Sequence, residues 1–294
     1  MEIENLLETV KKNFDRRRFL QAGSVAGLGV AAATLVGGSA TVLAAQGLTP
    51  KANATGIQDP VTKDTPAQIF TAALIAEDLA TTFYYNGLVG AVIQDPNLAG
   101  TGGTATHVTS GGNFGNVDYL RAALDEEITH ADLFRALLGI SGPAGDPEQT
   151  FYFPAGVFDT LTPFIATLEA LENAFIGAYL AAIREFGRMS GVAGTGSDYT
   201  SGQLSYYAEV AASILGVESE HRVLGRVISN SNPANNRNYE AVDGINSVYN
   251  GSHSAVVALT PFLTASTGPA YSFADAIANA SSVGLKVGGG LPPM

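Results

Sequence analysis

The sequence predicts an all-α protein, a four-helix bundle with long loops and an irregular C-terminal extension. Three observations predict it. Four segments of 20 to 30 residues carry apolar side chains at alternating steps of three and four, the spacing of a helix face packed in a bundle. Helix start and stop signals bracket those segments. The stretches between them are rich in Gly, Thr, Ser and Asn and have no periodicity.

The first helix opens at "TPAQ", with Thr65 as N-cap, Pro66 at the first helical position and Gln68 closing a capping box. It is expected to run to about Val92. A long loop, 93–115, follows. The second helix is expected from about Val117 to Leu138, with Asn116 as a candidate cap and Gly139 with Pro143 as the stop. A connection over 140–161 carries the aromatic cluster "FYFP", read as a lid over the bundle. Thr162-Pro163 starts the third helix, which runs to about Arg188. The fourth spans about Gly202 to Ile228. Beyond it, one short helix is expected at "SFADAIANA", 272–280.

Four segments result: an export signal over 1–45, a polar linker over 46–63, the bundle over 64–230, and the C-terminal extension over 231–294. The first contains "DRRRFLQ" followed by an Ala/Gly-rich apolar stretch, a basic n-region and a mild h-region. It resembles a twin-arginine (Tat) signal, with Arg16-Arg17 as the pair. Asp15 stands where Ser or Thr is commoner, and Gln21 where Lys is. Two readings stay open: cleavage near Val42–Ala45, or retention as an anchor helix.

Hydrophobic residues make up 46% of the 294 and charged residues 14%, enough for a sizeable core. The formal net charge is −12, and the densest basic run, Lys11 to Arg18, lies in the signal. Such a body repels phosphate backbones, which argues against nucleic-acid binding. The absence of cysteine excludes disulfides, thiolate zinc sites and iron–sulfur clusters.

The apolar stripes contain acids. The second helix gives Leu120, Ala123, Glu127, His130, Phe134, Leu137, and the fourth gives Ile214, Glu218, His221, Gly225, Ile228. Two of the four histidines thus follow a glutamate by three residues in the middle of a core-facing stripe. The first helix places Glu77 and the third Glu172 at the same central level, each with a tyrosine seven residues on, Tyr84 and Tyr179. Glu126 lies between faces, within the i,i+4 reach of His130. His107 and His253 fall in polar loops.

Burying an isolated carboxylate is so unfavourable that it neutralises, pairs or coordinates. The cations in view, Arg222 and Arg226, stand beside the stripe. Two divalent metals match four carboxylates in charge, and an oxygen and imidazole donor set favours iron or manganese. The alternative is a bundle whose core carboxylates are protonated and hydrogen-bonded to His130, His221, Tyr84 and Tyr179, with metal lost. A glutamate from two helices and Glu-x-x-His from the other two is the known ligand pattern of ferritin-like di-iron and di-manganese bundles.

On "EDLATTFYYNGL", "DEEITHADLFRALLG", "ENAFIGAYLAAI" and "VESEHRVLGR", the chain resembles the ferritin-like superfamily over roughly 65–230. It is most similar to the desiccation-related, often Tat-exported branch. The resemblance implies metal ligands at Glu77, Glu127, His130, Glu172, Glu218 and His221, holding two Fe or Mn ions, with Glu127 and Glu172 as bridges. It implies an exported di-metal oxidoreductase, manganese-catalase-like or ferroxidase-like. The alternative is a non-catalytic structural or desiccation-stress protein of the cell envelope that keeps the bundle. The expected partners are the Tat export machinery and a homo-oligomer or cell-surface assembly. The expected location is periplasmic or extracellular.

Overall fold

The fold comes from a computed structural model that describes residues 64–192, 198–235, 239–265 and 268–285. The export signal and linker read at 1–63 lie outside the described residues. Four long helices make the body: α1 (Pro66–Val89), α2 (Phe114–Leu138), α3 (Leu161–Val192) and α4 (Ser201–Ile228). The architecture is all-α, with one short two-stranded ribbon.

Local chemistry sets the helix ends. Thr65 accepts from the Gln68 N–H and Gln68 reaches back to the Thr65 N–H, the predicted capping box. Thr200 and Gln203 repeat it on α4. On α2 the cap is Asn113, whose side chain accepts from the Asn116 N–H, so the helix starts three residues before the expected point. It ends at Gly139, which adopts φ 69°, the left-handed geometry a glycine stop provides. The first helix also stops short of Val92: Gly90 breaks it, and a 3₁₀ turn over Ala91–Gln94 follows.

The helices pack antiparallel, α1 on α2 and α3 on α4. Phe70 meets Phe134 and Phe186, while Phe83 stacks on Phe164 with ring centroids 4.9 Å apart. Gly225 lets α4 approach α3 closely, since a Cβ there would lie 2.7 Å from Leu168. Nearly all the apolar core of the bundle and of the C-terminal segment forms one cluster.

The loop at 93–115 is held by its own backbone. Asn113 N–H donates to Leu98 C=O, Thr109 N–H to Ala99 C=O, and the Asn116 side chain to Asn97 C=O. The "FYFP" cluster is core: Phe151 and Phe153 are fully buried, and Phe153 packs against Phe83, Phe158, Phe262 and Tyr271. Its strand β1 (Thr150–Tyr152) pairs antiparallel with β2 (Ala270–Ser272).

The C-terminal segment carries two short helices, α5 (Ala255–Leu259) and α6 (Phe273–Asn279). The second was expected; the first is too short to show periodicity. The segment is stitched to the bundle by polar clips as well as by apolar contact. The Asp64 carboxylate accepts from the N–H groups of Val248, Tyr249 and Asn250. Arg135 of α2 lies under the Phe273 ring, 5.6 Å from its centroid.

Candidate metal centre

Helical periodicity puts Glu77, Glu127, Glu172 and Glu218 at the middle of α1 to α4, all facing inward. Glu127 and Glu218 are wholly buried; Glu77 and Glu172 are no more than 2% exposed. His130 and His221, one turn further along α2 and α4, are also buried. The structure brings all six together. They form two overlapping groups, Glu77–Glu127–His130–Glu218 and Glu127–Glu172–Glu218–His221, whose donor atoms lie within 4.8 Å of one another.

The overlap identifies the shared residues. Glu127 places Oε2 3.7 Å from His130 Nδ1 and Oε1 3.0 Å from His221 Nδ1. Glu218 places Oε1 3.6 Å from His130 Nδ1 and Oε2 3.4 Å from His221 Nδ1. Each of these carboxylates therefore turns one oxygen to each half. Glu77 belongs to one half and Glu172 to the other. The expected bridging pair was Glu127 and Glu172; the residues common to both groups here are Glu127 and Glu218. The Glu-x-x-His helices α2 and α4 lie where both halves can be reached.

These short distances are not hydrogen bonds. Both oxygens of Glu127, both of Glu218, Glu172 Oε2 and His221 Nδ1 are buried without an aligned hydrogen-bond partner. A native core rarely leaves so many polar atoms unsatisfied in one place. The site is also acidic: no Lys or Arg nitrogen lies within ion-pair distance of the four glutamates among the described residues. Four carboxylates, two imidazoles and orphaned lone pairs converging on one core fit bound metal.

The protonation energetics of the metal-free site say the same. Burial, then the charge of Glu77, raises the Glu127 carboxyl. Burial, then Glu218, pushes Glu172 well up. Burial opposes charge on His130, but Glu77, Glu127 and Glu218 outweigh it and lift the imidazole well above its ordinary value. His221 is raised likewise, against its burial, by Glu126, Glu127 and Glu218. Without metal, the centre holds protons where cations would otherwise balance its charge.

Outer partners fix the ligand side chains. Tyr84 of α1 donates to Glu172 Oε1 of α3 at 2.5 Å, and Tyr179 of α3 donates to Glu77 Oε1 of α1. Each tyrosine thus holds the glutamate of the opposite helix. Burial, above all, keeps both phenols protonated. Glu126 Oε2 lies 2.8 Å from His221 Nε2. That contact leaves Nδ1 to face the centre, the carboxylate–histidine arrangement of metal sites. The expected partner of Glu126 was His130, one helical step away; the helix pairing delivers it to α4 instead.

Other polar residues lie apart from the centre. Asp78 is buried and paired with Arg135 at 2.9 Å; Arg135 also holds Asp146 and Asp132. This cluster joins α1, α2 and the connection after α2. Arg135 interrupts an otherwise apolar stretch, Leu133 to Leu138, but its partners come from other segments of the chain. Arg222 binds Asn173 and Glu240. His107 and His253 are exposed, as expected.

Comparison with known sequences follows the same boundaries. A family model of the ferritin-like domain matches residues 65–230, more than half of the chain. No curated protein and no solved structure matches it.

Proposed function

The chain belongs to the ferritin-like domain family, and we infer that it is an exported di-metal protein whose centre works on peroxide or dioxygen. The carrying observation is the pair of overlapping Glu/His groups sharing Glu127 and Glu218. In this reading Glu77, Glu127, His130 and Glu218 hold one ion, and Glu127, Glu172, Glu218 and His221 the other. Bound there, two iron or manganese ions supply redox chemistry between two adjacent metals.

The chain's own residues do the rest. Tyr84 and Tyr179 orient the two terminal glutamates through one oxygen each, leaving the second oxygen for a ligand bond. Glu126 sets the His221 tautomer. Phe134, which is buried, and the other core side chains around the centre keep bulk water out, which strengthens every charge interaction inside. The "RRRFL" motif at 16–20 supports Tat export, and with it a desiccation-related, envelope-located role and a surface or homo-oligomeric assembly.

The test is metal content followed by turnover. Protein purified from its native host should contain two iron or manganese ions per chain, and hydrogen peroxide should release oxygen or oxidise the metal. Protein that folds normally yet holds no metal after purification and after reloading sinks the reading.

A further inference from the structure

Residues beyond 230 lie outside the family match, yet they complete a second feature beside the centre. An apolar cavity of about 30 Å³ sits between the bundle and the C-terminal segment. Phe134, Tyr179 and Ala182 line it from the bundle side; Val248, Val256 and Leu259 close it from the other. Tyr179 is the common wall. Its ring faces the cavity and its hydroxyl is taken up by Glu77. The cavity therefore ends one side chain away from a residue of the centre.

We propose that this cavity is a binding site for small nonpolar molecules, dioxygen in particular, and that residues 248–259 exist in part to form it. Size and polarity select the guest. An engineered apolar cavity of roughly 150 Å³ takes up benzene; the present one is far smaller and suits a molecule of two atoms. Its lining offers no free hydrogen-bonding group, so water is disfavoured. Hydrogen peroxide is disfavoured for the same reason, because its O–H groups find no acceptor there. The choice of dioxygen rests on the di-metal reading above; the binding of small nonpolar guests does not.

Xenon is the probe. Crystals of the protein as purified, pressurised with xenon, should show an anomalous peak between Val256 and Tyr179. Val256→Phe should abolish it, and Val256→Ala, which widens the cavity, should raise its occupancy. No peak in the wild type, or an equal peak in Val256→Phe, overturns the site. With iron(II) loaded, Val256→Phe should slow oxidation by dioxygen severalfold and leave oxidation by hydrogen peroxide unchanged. Equal effects on both oxidants, or on neither, overturn the dioxygen assignment. Failure to bind iron at all removes the di-metal reading and with it the choice of dioxygen, while the xenon result still decides the cavity.

Discussion

Glu218→Gln separates a metal centre from a protonated core by a reversal of sign. The substitution keeps the volume and removes one negative charge. Glu218 is wholly buried, and neither of its oxygens has a hydrogen-bond partner. Its nearest basic neighbours are His130 and His221, at 3.6 and 3.4 Å. Three further carboxylates crowd the same core, so taking one acid out relieves like-charge crowding there. The metal-free variant should therefore melt at or above the wild type, by roughly 2–4 °C for each kcal/mol in a chain of this size. With metal the order should invert. A site filled at a hundred times its Kd adds about 2.7 kcal/mol, and Glu218 faces both halves, so the variant loses most of two such increments. The assay is thermal unfolding in EDTA and in excess Mn(II) or Fe(II). A variant that melts several degrees below wild type in EDTA, or that keeps the full metal-induced rise, refutes the reasoning.

Four further outcomes follow from the same geometry. Glu126→Gln should weaken one of the two sites about 10–100-fold, the usual cost of losing a partner behind a metal-bound histidine; titration calorimetry showing both sites unchanged would count against it. Glu172→Gln should cost one ion and Glu127→Gln both, read by elemental analysis, since Glu127 serves both groups and Glu172 only one; equal losses would put the bridge elsewhere. Arg135→Met should destabilise by about 3–5 kcal/mol, because Asp78 is then left buried and unpaired, and adding Asp78→Asn should restore much of it in denaturant unfolding. Metal-free protein should lose stability as pH rises. The raised carboxyls of Glu127 and Glu172 make the folded chain bind more protons than the unfolded one from about pH 4.3 upward. The raised histidines add stability that is full below about pH 6.5 and is lost as pH climbs through their higher folded values. Melting in EDTA should thus be higher at pH 5 than at pH 8; Mn(II) should favour the higher pH, since metal competes with protons for the same atoms.

The sequence made the four helices and the six central side chains legible for one physical reason. A helix face repeats every three to four residues, so a buried acid among leucines and phenylalanines declares itself without knowledge of neighbours. What depends on how helices rotate against each other was not legible. Which glutamate is shared between the two halves is set by the pairing of α2 with α4. The same pairing gives Glu126 to His221 rather than to His130. Arg135 was hidden because its partners, Asp78 and Asp146, come from two other segments. Apart from its helix at 273–279, the C-terminal segment was unreadable because it is held by clips that span the chain, such as Asp64 on the 248–250 backbone. The packing of "FYFP" into a buried ribbon likewise needed the distant partner strand at 270–272.

Anomalous diffraction from crystals grown with manganese or iron addresses the six side chains most directly. Two peaks roughly 3.5–4 Å apart should appear, both flanked by Glu127 and Glu218, with His130 and Glu77 on one and His221 and Glu172 on the other. A single peak, or metal found only on the surface, would contradict the shared-carboxylate centre.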